Sequence, residues 1–419
     1  MNPPDGEFPF FDLNHLLGGL SGADPWKSAG EMASSIATEG KPEPNLDPVD
    51  RIAIEDLARV AELHLSSAPG IVIPRSAKIS AVTKSVWSHQ SVVAYKPLFE
   101  RFGEALSQGM QSDGQALNIA DLGGQLGPDN DPTADFTAQM MVQLFSALGP
   151  MLVSTSAGSM LGHLGQTALG QYELPIPRSS DEVLVVPSNI DAAAQQWDVP
   201  RDELRLWVLF HELAAHATLS VPHVKARLDS LLIDFASAFA PQSDRIAEEF
   251  GSFSDMSQLQ EMSEKLNDPD LILSMLRSPA HDLIIPQLDA LVAAVLGFVD
   301  RTVTATAAPL VPNHEKIQNE FRSRWVDTAP ADRFIERLLG LEIDEATLER
   351  GSRFVAGIDE RAGDTGLNRL WTDDLDLPTP AEVDAPGLWL ARIGLDNPNE
   401  TGSLGGLEAP DDLSGLDDL

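Results

Sequence analysis

Residues 206–216 read Leu206-Trp207-Val208-Leu209-Phe210-His211-Glu212-Leu213-Ala214-Ala215-His216. Five consecutive apolar residues precede His211. Upstream, Pro200 suits the first turn of a helix, and Asp202 and Glu203 would interact favourably with its positive end. The sequence therefore predicts a helix from about Pro200 to Leu219.

The two histidines of this helix do not have the spacing of the HExxH zinc motif. That motif puts two histidines at i and i+4 on one helix face, and the glutamate beside the first activates zinc-bound water. At roughly 100° per residue, His216 at i+5 lies roughly 140° around the helix from His211, whereas i+4 spacing leaves roughly 40°. Both imidazoles could reach one ion only if the helix unwound, so the spacing alone favours a hydrogen-bonded core histidine at position 211.

The rest of the chain predicts a mainly α fold with a short β region before the motif helix. The segment Glu182–Pro187 is short, rich in β-branched residues and bounded by polar residues and proline, which is typical of a strand. Apolar residues recur at helical spacing in several other segments. The predicted helices begin near Asp47 and cover about Ser80–Gln108, Val224–Phe239, His281–Thr304, His314–Trp325, Ala331–Gly340 and Asp344–Ala362.

Composition excludes several classes of function. The chain has 419 residues, 28 Lys and Arg against 64 Asp and Glu, a formal net charge of −36 and no cysteine. A surface this acidic repels phosphate groups, so we expect no nucleic-acid partner. Disulfides, thiolate metal sites and cysteine nucleophiles are excluded, which leaves His, Asp and Glu as the strong metal ligands.

We divide the chain into a Pro/Gly-rich N-terminal arm over residues 1–46, a main body over 47–395 and an acidic tail over 396–419. The tail composition is typical of solvated, unstructured segments. The N-terminus lacks the basic start and apolar run of a signal peptide, so we expect a cytoplasmic protein. Residues 136–172 carry no charged side chain, but polar residues and Gly149-Pro150 interrupt them, which favours two buried helices over a membrane span.

Strings on both sides of the motif helix resemble a known family. Gln171–Arg178, Leu184–Pro187 and Arg205–Val208 precede His211, and Pro9–Leu13 and Ala81–Thr83 lie nearer the N-terminus. Val311-Pro312, Leu338–Glu342, Gly366–Trp371 and Leu377–Thr379 follow it in order. Over roughly residues 8 to 395 the chain resembles the zincin-like metallopeptidase type 2 family of bacterial zinc-dependent hydrolases. The resemblance implies a zincin-like helical body.

The resemblance also implies a zinc site, and two of its three ligands are replaced here. The first histidine and the glutamate of the family motif fall on His211 and Glu212, and the second histidine falls on Ala215. The third ligand resembles a glutamate in a Glu-Gly-x-x-Asp string, which here reads Leu296-Gly297-Phe298-Val299-Asp300. Catalytic zinc takes three protein ligands and an open water position, and unbound water keeps a pKa near 15.7 instead of about 7.

Three hypotheses follow. The first is a catalytically degenerate family member with no expected cofactor, in which His211 is a vestigial ligand and Glu212 a vestigial general base, and which binds a peptide or protein in the ancestral cleft. The second is an active zinc hydrolase with a rearranged ligand set around His211, Glu212 and Asp300. The third is a structural protein without a functional cleft.

Several residues have two readings. Asp300 lies one turn after Leu296 and could replace a ligand, or it could hydrogen-bond to His211 as a supporting carboxylate. His216 or His223 could complete a distorted site, and His223, beside Pro222, could equally be a surface residue.

Overall fold

The structure, a computed structural model, describes residues 24–114, 153–239, 277–326, 339–341 and 343–395. Helices dominate this part of the chain, which confirms the mainly α fold. In chain order the elements are α1 (Pro25–Ala37), α2 (Pro48–Leu65), β1 (Lys78–Ala81), α3 (Lys84–Gly114), α4 (helical over residues 153–167), β2 (Glu182–Val185), α5 (Pro187–Gln196), α6 (Arg201–Leu219), α7 (Pro222–Ser237), α8 (His281–Ala307), α9 (His314–Val326), α10 (Glu345–Arg369), a 3-10 turn (Asp374–Asp376), α11 (Pro380–Asp384) and α12 (Pro386–Arg392).

The motif helix α6 forms the centre of the fold. All 16 residues from Leu204 to Leu219 are buried. Helices α2, α5, α7, α8 and α9 and strand β2 contact it, so no face of α6 is left to solvent over this length. A helix enclosed in this way needs no polar stripe, which is why the apolar residues around His211 continue on every side.

The β region is a two-stranded parallel sheet. Strand β2 was predicted and is confirmed, and it pairs with β1 in the register from Lys78 opposite Glu182 to Ala81 opposite Val185. The predicted start of a helix near Ser80 is wrong, because Ser80 lies in β1 and α3 begins at Lys84. Gly170 adds an isolated antiparallel bridge to Val185 on the other side of β2. Strand β2 is thus flanked by β1 and by Gly170, which lies next to Glu212 of α6.

Helices α8 and α10 cross at two glycines. A Cβ atom added to Gly297 would lie 2.3 Å from the carbonyl carbon of Gly351, and one added to Gly351 would lie 1.9 Å from the carbonyl oxygen of Ala293. Only glycine permits this approach of the two backbones. The crossing explains Gly297 in the Leu296–Asp300 string by packing alone.

Part of the predicted N-terminal arm lies among the described residues. Trp26 of the predicted N-terminal arm lies in the regular helix α1 and stacks on Phe99 at a ring distance of 6.5 Å. The three-part division of the chain stays a prediction, and the acidic tail 396–419, residues 136–152 and most of the predicted helix Ala331–Gly340 lie outside the described residues.

Helix α8 is long and apolar enough to cross a membrane, but 61% of its most apolar window is buried inside the protein, as in a core helix.

Candidate functional site

The two histidines of α6 meet different parts of the protein. The ring of His211 lies 4.7 Å from the ring of Phe321 and 6.4 Å from that of Trp325, both on α9. His216 instead contacts Tyr172 and Arg178, which precede β2 in the chain. The structure therefore does not bring His211 and His216 together, as the i+5 spacing predicts for an intact helix.

His211 borders a small, partly open cavity. Its side chain is 10% exposed, and its Nδ1 atom lies 3.2 Å from Oε1 of Glu212. The cavity beside it measures about 40 Å³, enough for very few water molecules. Its lining is mostly apolar and comes from helices α6, α8, α9 and α10: Trp207, His211, Leu296, Val299, Asp300, Val303, Phe321, Arg322, Trp325, Leu348 and Ser352.

The Glu212 carboxylate is fastened to a backbone segment. Its Oε2 atom accepts hydrogen bonds from the amide nitrogens of Gln171 at 2.7 Å and Tyr172 at 3.0 Å. A Cβ atom added to Gly170 would lie 2.2 Å from the carboxyl carbon of Glu212, so glycine is required there. Only 2% of Glu212 is exposed. A carboxylate with two backbone donors in a buried setting acts as a structural acceptor.

His216, one turn after Glu212 on α6, contacts the same backbone segment through Tyr172 and also contacts Arg178. Its Nδ1 atom lies 2.6 Å from the hydroxyl of Tyr172, 3.4 Å from Nη2 of Arg178 and 3.3 Å from the hydroxyl of Ser220. Because an arginine can only donate, we assign Nδ1 as the acceptor and place the ring proton on Nε2. Burial, and after it the charge of Arg178, lowers the pKa of His216 to about 4, so the ring is neutral at pH 7.

Tyr172 completes this buried cluster. Burial raises the pKa of its hydroxyl to about 12, which keeps it a hydrogen-bond donor. The guanidinium of Arg178 lies 4.8 Å from the centre of the Tyr172 ring, a cation–π distance. We name Gly170, Gln171, Tyr172, Arg178, Glu212 and His216 the clamp. The sequence strings contained Gln171, Tyr172 and Arg178, but nothing in them indicated that they fasten onto Glu212 and His216.

Asp300 lies at the cavity with a different partner from His211. Its carboxylate accepts from Arg322, through Nε at 3.3 Å and through Nη2, and from Nε2 of Gln318 at 3.1 and 3.2 Å. Arg322 and Gln318 both belong to α9. Leu296 lines the cavity one turn earlier on α8 and is 8% exposed. The position implied for the third ligand is therefore apolar, and the nearest carboxylate on that helix is neutralised by an arginine.

The remaining candidate positions are not among the residues that line this cavity. Ala215 is buried within α6, 4% exposed, and is not among the residues that line the cavity beside His211. His223 lies in the first turn of α7 and is half-buried. The roles of His211, Glu212, Asp300 and His216 as vestigial or substitute site residues stay predictions.

A zinc ion does not fit the side chains that the structure describes. In residues 24–114, 153–239, 277–326 and most of 339–395, no three His, Asp or Glu side chains lie close enough together to hold a metal ion. At the cavity, His211 faces two aromatic rings and Leu296, and Asp300 already pairs with Arg322. Zinc sites need three or four N, O or S ligands in near-tetrahedral positions, and this environment offers one free imidazole edge.

Comparison with known proteins establishes the family. The model of the zincin-like metallopeptidase family matches residues 25–390, so the chain belongs to that family. A crystal structure of a "putative hydrolase with a novel fold" from Chloroflexus aurantiacus is similar, with 18% sequence identity and a TM-score of 0.54, and the alignment covers 89% of this chain and 99% of that one. At this identity the likeness shows a shared fold. No curated protein matches the sequence.

Proposed function

We propose that this protein is a catalytically degenerate member of the zincin-like metallopeptidase family, which acts by binding a peptide or protein. One observation carries the proposal: the cavity beside His211 is bordered by the apolar side chains of Leu296, Phe321 and Trp325. A single imidazole among apolar side chains does not hold zinc against competing ligands. Without the ion, Glu212 has no acidified water to deprotonate.

The clamp supports the same proposal from the other side of α6. A general base needs a carboxylate oxygen within reach of the water that it activates. Here Oε2 of Glu212 is held by two backbone amides, and Oε1 lies beside His211. These backbone hydrogen bonds give Glu212 a role in folding, which supports the proposal. The formal charge of −36 supports a partner other than nucleic acid, and we propose a cytoplasmic location.

Zinc content of the purified full chain, freed of any affinity tag, tests the proposal. We expect far less than one zinc ion per chain by elemental analysis after dialysis against a weak chelator. Tight retention of about one equivalent would overturn the proposal. His211→Asn is the matched variant, and it should leave the metal content unchanged if no site exists.

Restoration of the family pattern tests the replaced positions directly. We expect Ala215→His with Leu296→Glu to raise zinc affinity above that of a control of similar size and polarity, Ala215→Asn with Leu296→Gln. If the restored pair binds no more zinc than this control, the two positions do not face one ion, and the explanation of degeneracy by these two replacements is wrong.

A second candidate function rests on the position of Asp300, which lines the same cavity as His211. His211 and Asp300 line the same space, so a rearranged zinc site around His211, Glu212 and Asp300 would require Asp300 to leave Arg322. That alternative predicts one zinc per chain, lost in Asp300→Asn, together with hydrolase activity. Our proposal predicts that Asp300→Asn changes stability slightly and metal content not at all.

A further inference from the structure

Helix α2 has apolar side chains on two opposite faces. Its inner face is buried in the core, at Ile54, Ala61 and Leu65. On its outer face four apolar side chains are 71%, 58%, 38% and 69% exposed: Val49, Ile52, Val60 and Leu63. At roughly 100° per residue, these four lie within an arc of about 80°, so they form one stripe about 21 Å long. We name this stripe the outer face of α2.

The outer face of α2 collects much of the exposed apolar surface. Ten large apolar side chains are exposed in the part of the chain that the structure describes, and four of them lie on this one helix face. Scattered single exposures are ordinary in soluble proteins, whereas a contiguous row marks a surface that another molecule covers. The row therefore indicates an interface.

An acid and a base lie at the middle of the outer face. Asp56 and Arg59 follow Val49 and Ile52 in the chain, and Leu63 lies one turn after Arg59. The Nη1 atom of Arg59 donates to Oδ1 of Asp56 at 2.6 Å, and the two side chains are 71% and 63% exposed, so both are accessible to a partner. The order along the helix is apolar, acid, base, apolar, and read backwards it is the same with acid and base exchanged.

This order makes the outer face complementary to a second copy of itself. A two-fold interface brings the same patch together from both subunits, so the patch must complement itself. When two α2 helices run antiparallel about an axis between residues 57 and 58, Asp56 lies opposite Arg59 and Ile52 lies opposite Leu63. A parallel pair would instead set Asp56 opposite Asp56 and Arg59 opposite Arg59, which is unfavourable.

We infer that the outer face of α2 is a homodimer interface, in which two α2 helices pack antiparallel about a two-fold axis. One pair of helices of this length buries on the order of 1,000 Å² in total, at the lower limit for a specific interface. The dimer is therefore reversible, with a dissociation constant in the micromolar range. This inference goes beyond the proposed function, and its test involves neither zinc nor a peptide.

Sedimentation of the full chain over a range of concentrations, from about 1 to 200 µM, tests the dimer. The buffer contains 0.15 M NaCl, because a Debye length of about 8 Å screens the general repulsion between two chains of charge −36 and leaves close pairs intact. We expect the average mass to rise with concentration from that of one chain toward that of two. A chain that stays monomeric over this range would overturn the inference.

Two leucines that are similarly exposed give a matched pair of variants. Leu63→Glu sets an unpaired charge into both ends of the interface and should weaken dimerisation at least about tenfold. Leu283→Glu makes the same change on α8, where the leucine is 73% exposed, and should leave the dissociation constant unchanged. Equal effects of the two variants would contradict an interface on α2.

A charge exchange tests the antiparallel register. Asp56→Arg gives both copies two bases at the centre, and Arg59→Asp gives both copies two acids, so each variant alone should be monomeric. An equimolar mixture of the two should dimerise, because the bases of one chain then meet the acids of the other. A mixture that stays monomeric would refute the pairing. All substituted side chains are exposed, and unchanged circular dichroism and melting temperature verify that the variants fold.

Discussion

His211 and His216 lie five residues apart on α6, and the two sides of the helix that they mark are closed by different interactions. On the His216 side, Glu212 and His216 hold Gln171, Tyr172 and Arg178 by hydrogen bonds in a buried setting. On the His211 side, an aromatic ring of α9 lies against the imidazole. Ion pairs of Arg322 with Asp300 and of Arg324 with Glu173 hold α9 in place.

The comparison separates two ways in which the fold surrounds a residue of the motif. Glu212 is placed by the fold, because removal would leave two buried amides without an acceptor. His211 instead contacts Oε1 of Glu212 at 3.2 Å, and aromatic rings of α9 lie against its ring. A sequence motif alone does not distinguish a residue that is held by hydrogen bonds from one that is covered by another helix.

The largest effect should come from the clamp. We expect Glu212→Ala to lower the free energy of unfolding by about 4 kcal/mol, because two buried backbone donors lose a charged acceptor. The measurement is urea unfolding followed by circular dichroism. Asp202→Ala, an exposed acidic position on the same helix, should change stability by less than about 0.5 kcal/mol.

Gly170→Ala approaches the clamp from the opposite partner. Its Cβ atom would meet the Glu212 carboxyl group, so it should be destabilising as well, and together with Glu212→Ala the two effects should not add. If instead Glu212→Gln kept full stability and abolished a hydrolytic activity, the glutamate would be a general base and the comparison would fail.

Acid should weaken the His216 side next. The folded-state pKa of about 4 lies below the ordinary value of 6.5, so the unfolded chain binds more protons between these two values. Stability is therefore fully present above pH 6.5 and falls as the pH drops toward 4, by up to about 3 kcal/mol from this group. Burial lowers the pKa of His281 in the same direction.

The difference between wild type and His216→Gln, measured by urea unfolding at several pH values, isolates this contribution. The variant should lose much of the pH slope between pH 4 and 6.5 and keep the part that belongs to His281. An unchanged slope would show that His216 is not buried in its neutral form.

The smallest effect should come from the ion pair between Asp300 and Arg322 at the cavity beside His211. Asp300 and Arg322 are partly exposed, with side chains 24% and 41% accessible, so solvent screens their attraction. We expect Asp300→Asn to lower stability by about 1 kcal/mol or less, and 1 M NaCl to reduce the difference. Thermal unfolding at low and high salt measures it. A loss of several kcal/mol that is insensitive to salt would contradict a screened ion pair.

Part of this arrangement follows from local sequence. The strand Glu182–Val185, α8 and α9 are predicted from a β-branched run or an apolar period, and the motif helix is predicted from its start at Pro200 and the acidic residues of its first turn. The separation of His211 from His216 is also predictable, since helix geometry alone fixes the angle between i and i+5. Strand β1 is not predictable in this way, because Lys78–Ala81 becomes a strand through its pairing with β2.

The sequence by itself determined a mainly α fold and, because the chain has no cysteine, the absence of thiol chemistry. The assignment of Ala215 and Leu296 to replaced ligand positions stays a prediction. Tertiary structure alone decided that Glu212 holds the segment at Gln171 and Tyr172, that Asp300 pairs with Arg322, and that α9 covers His211. The reason is physical: helical periodicity is a local property of the chain, whereas these contacts join residues 22 to 110 positions apart, whose meeting depends on how the helices pack.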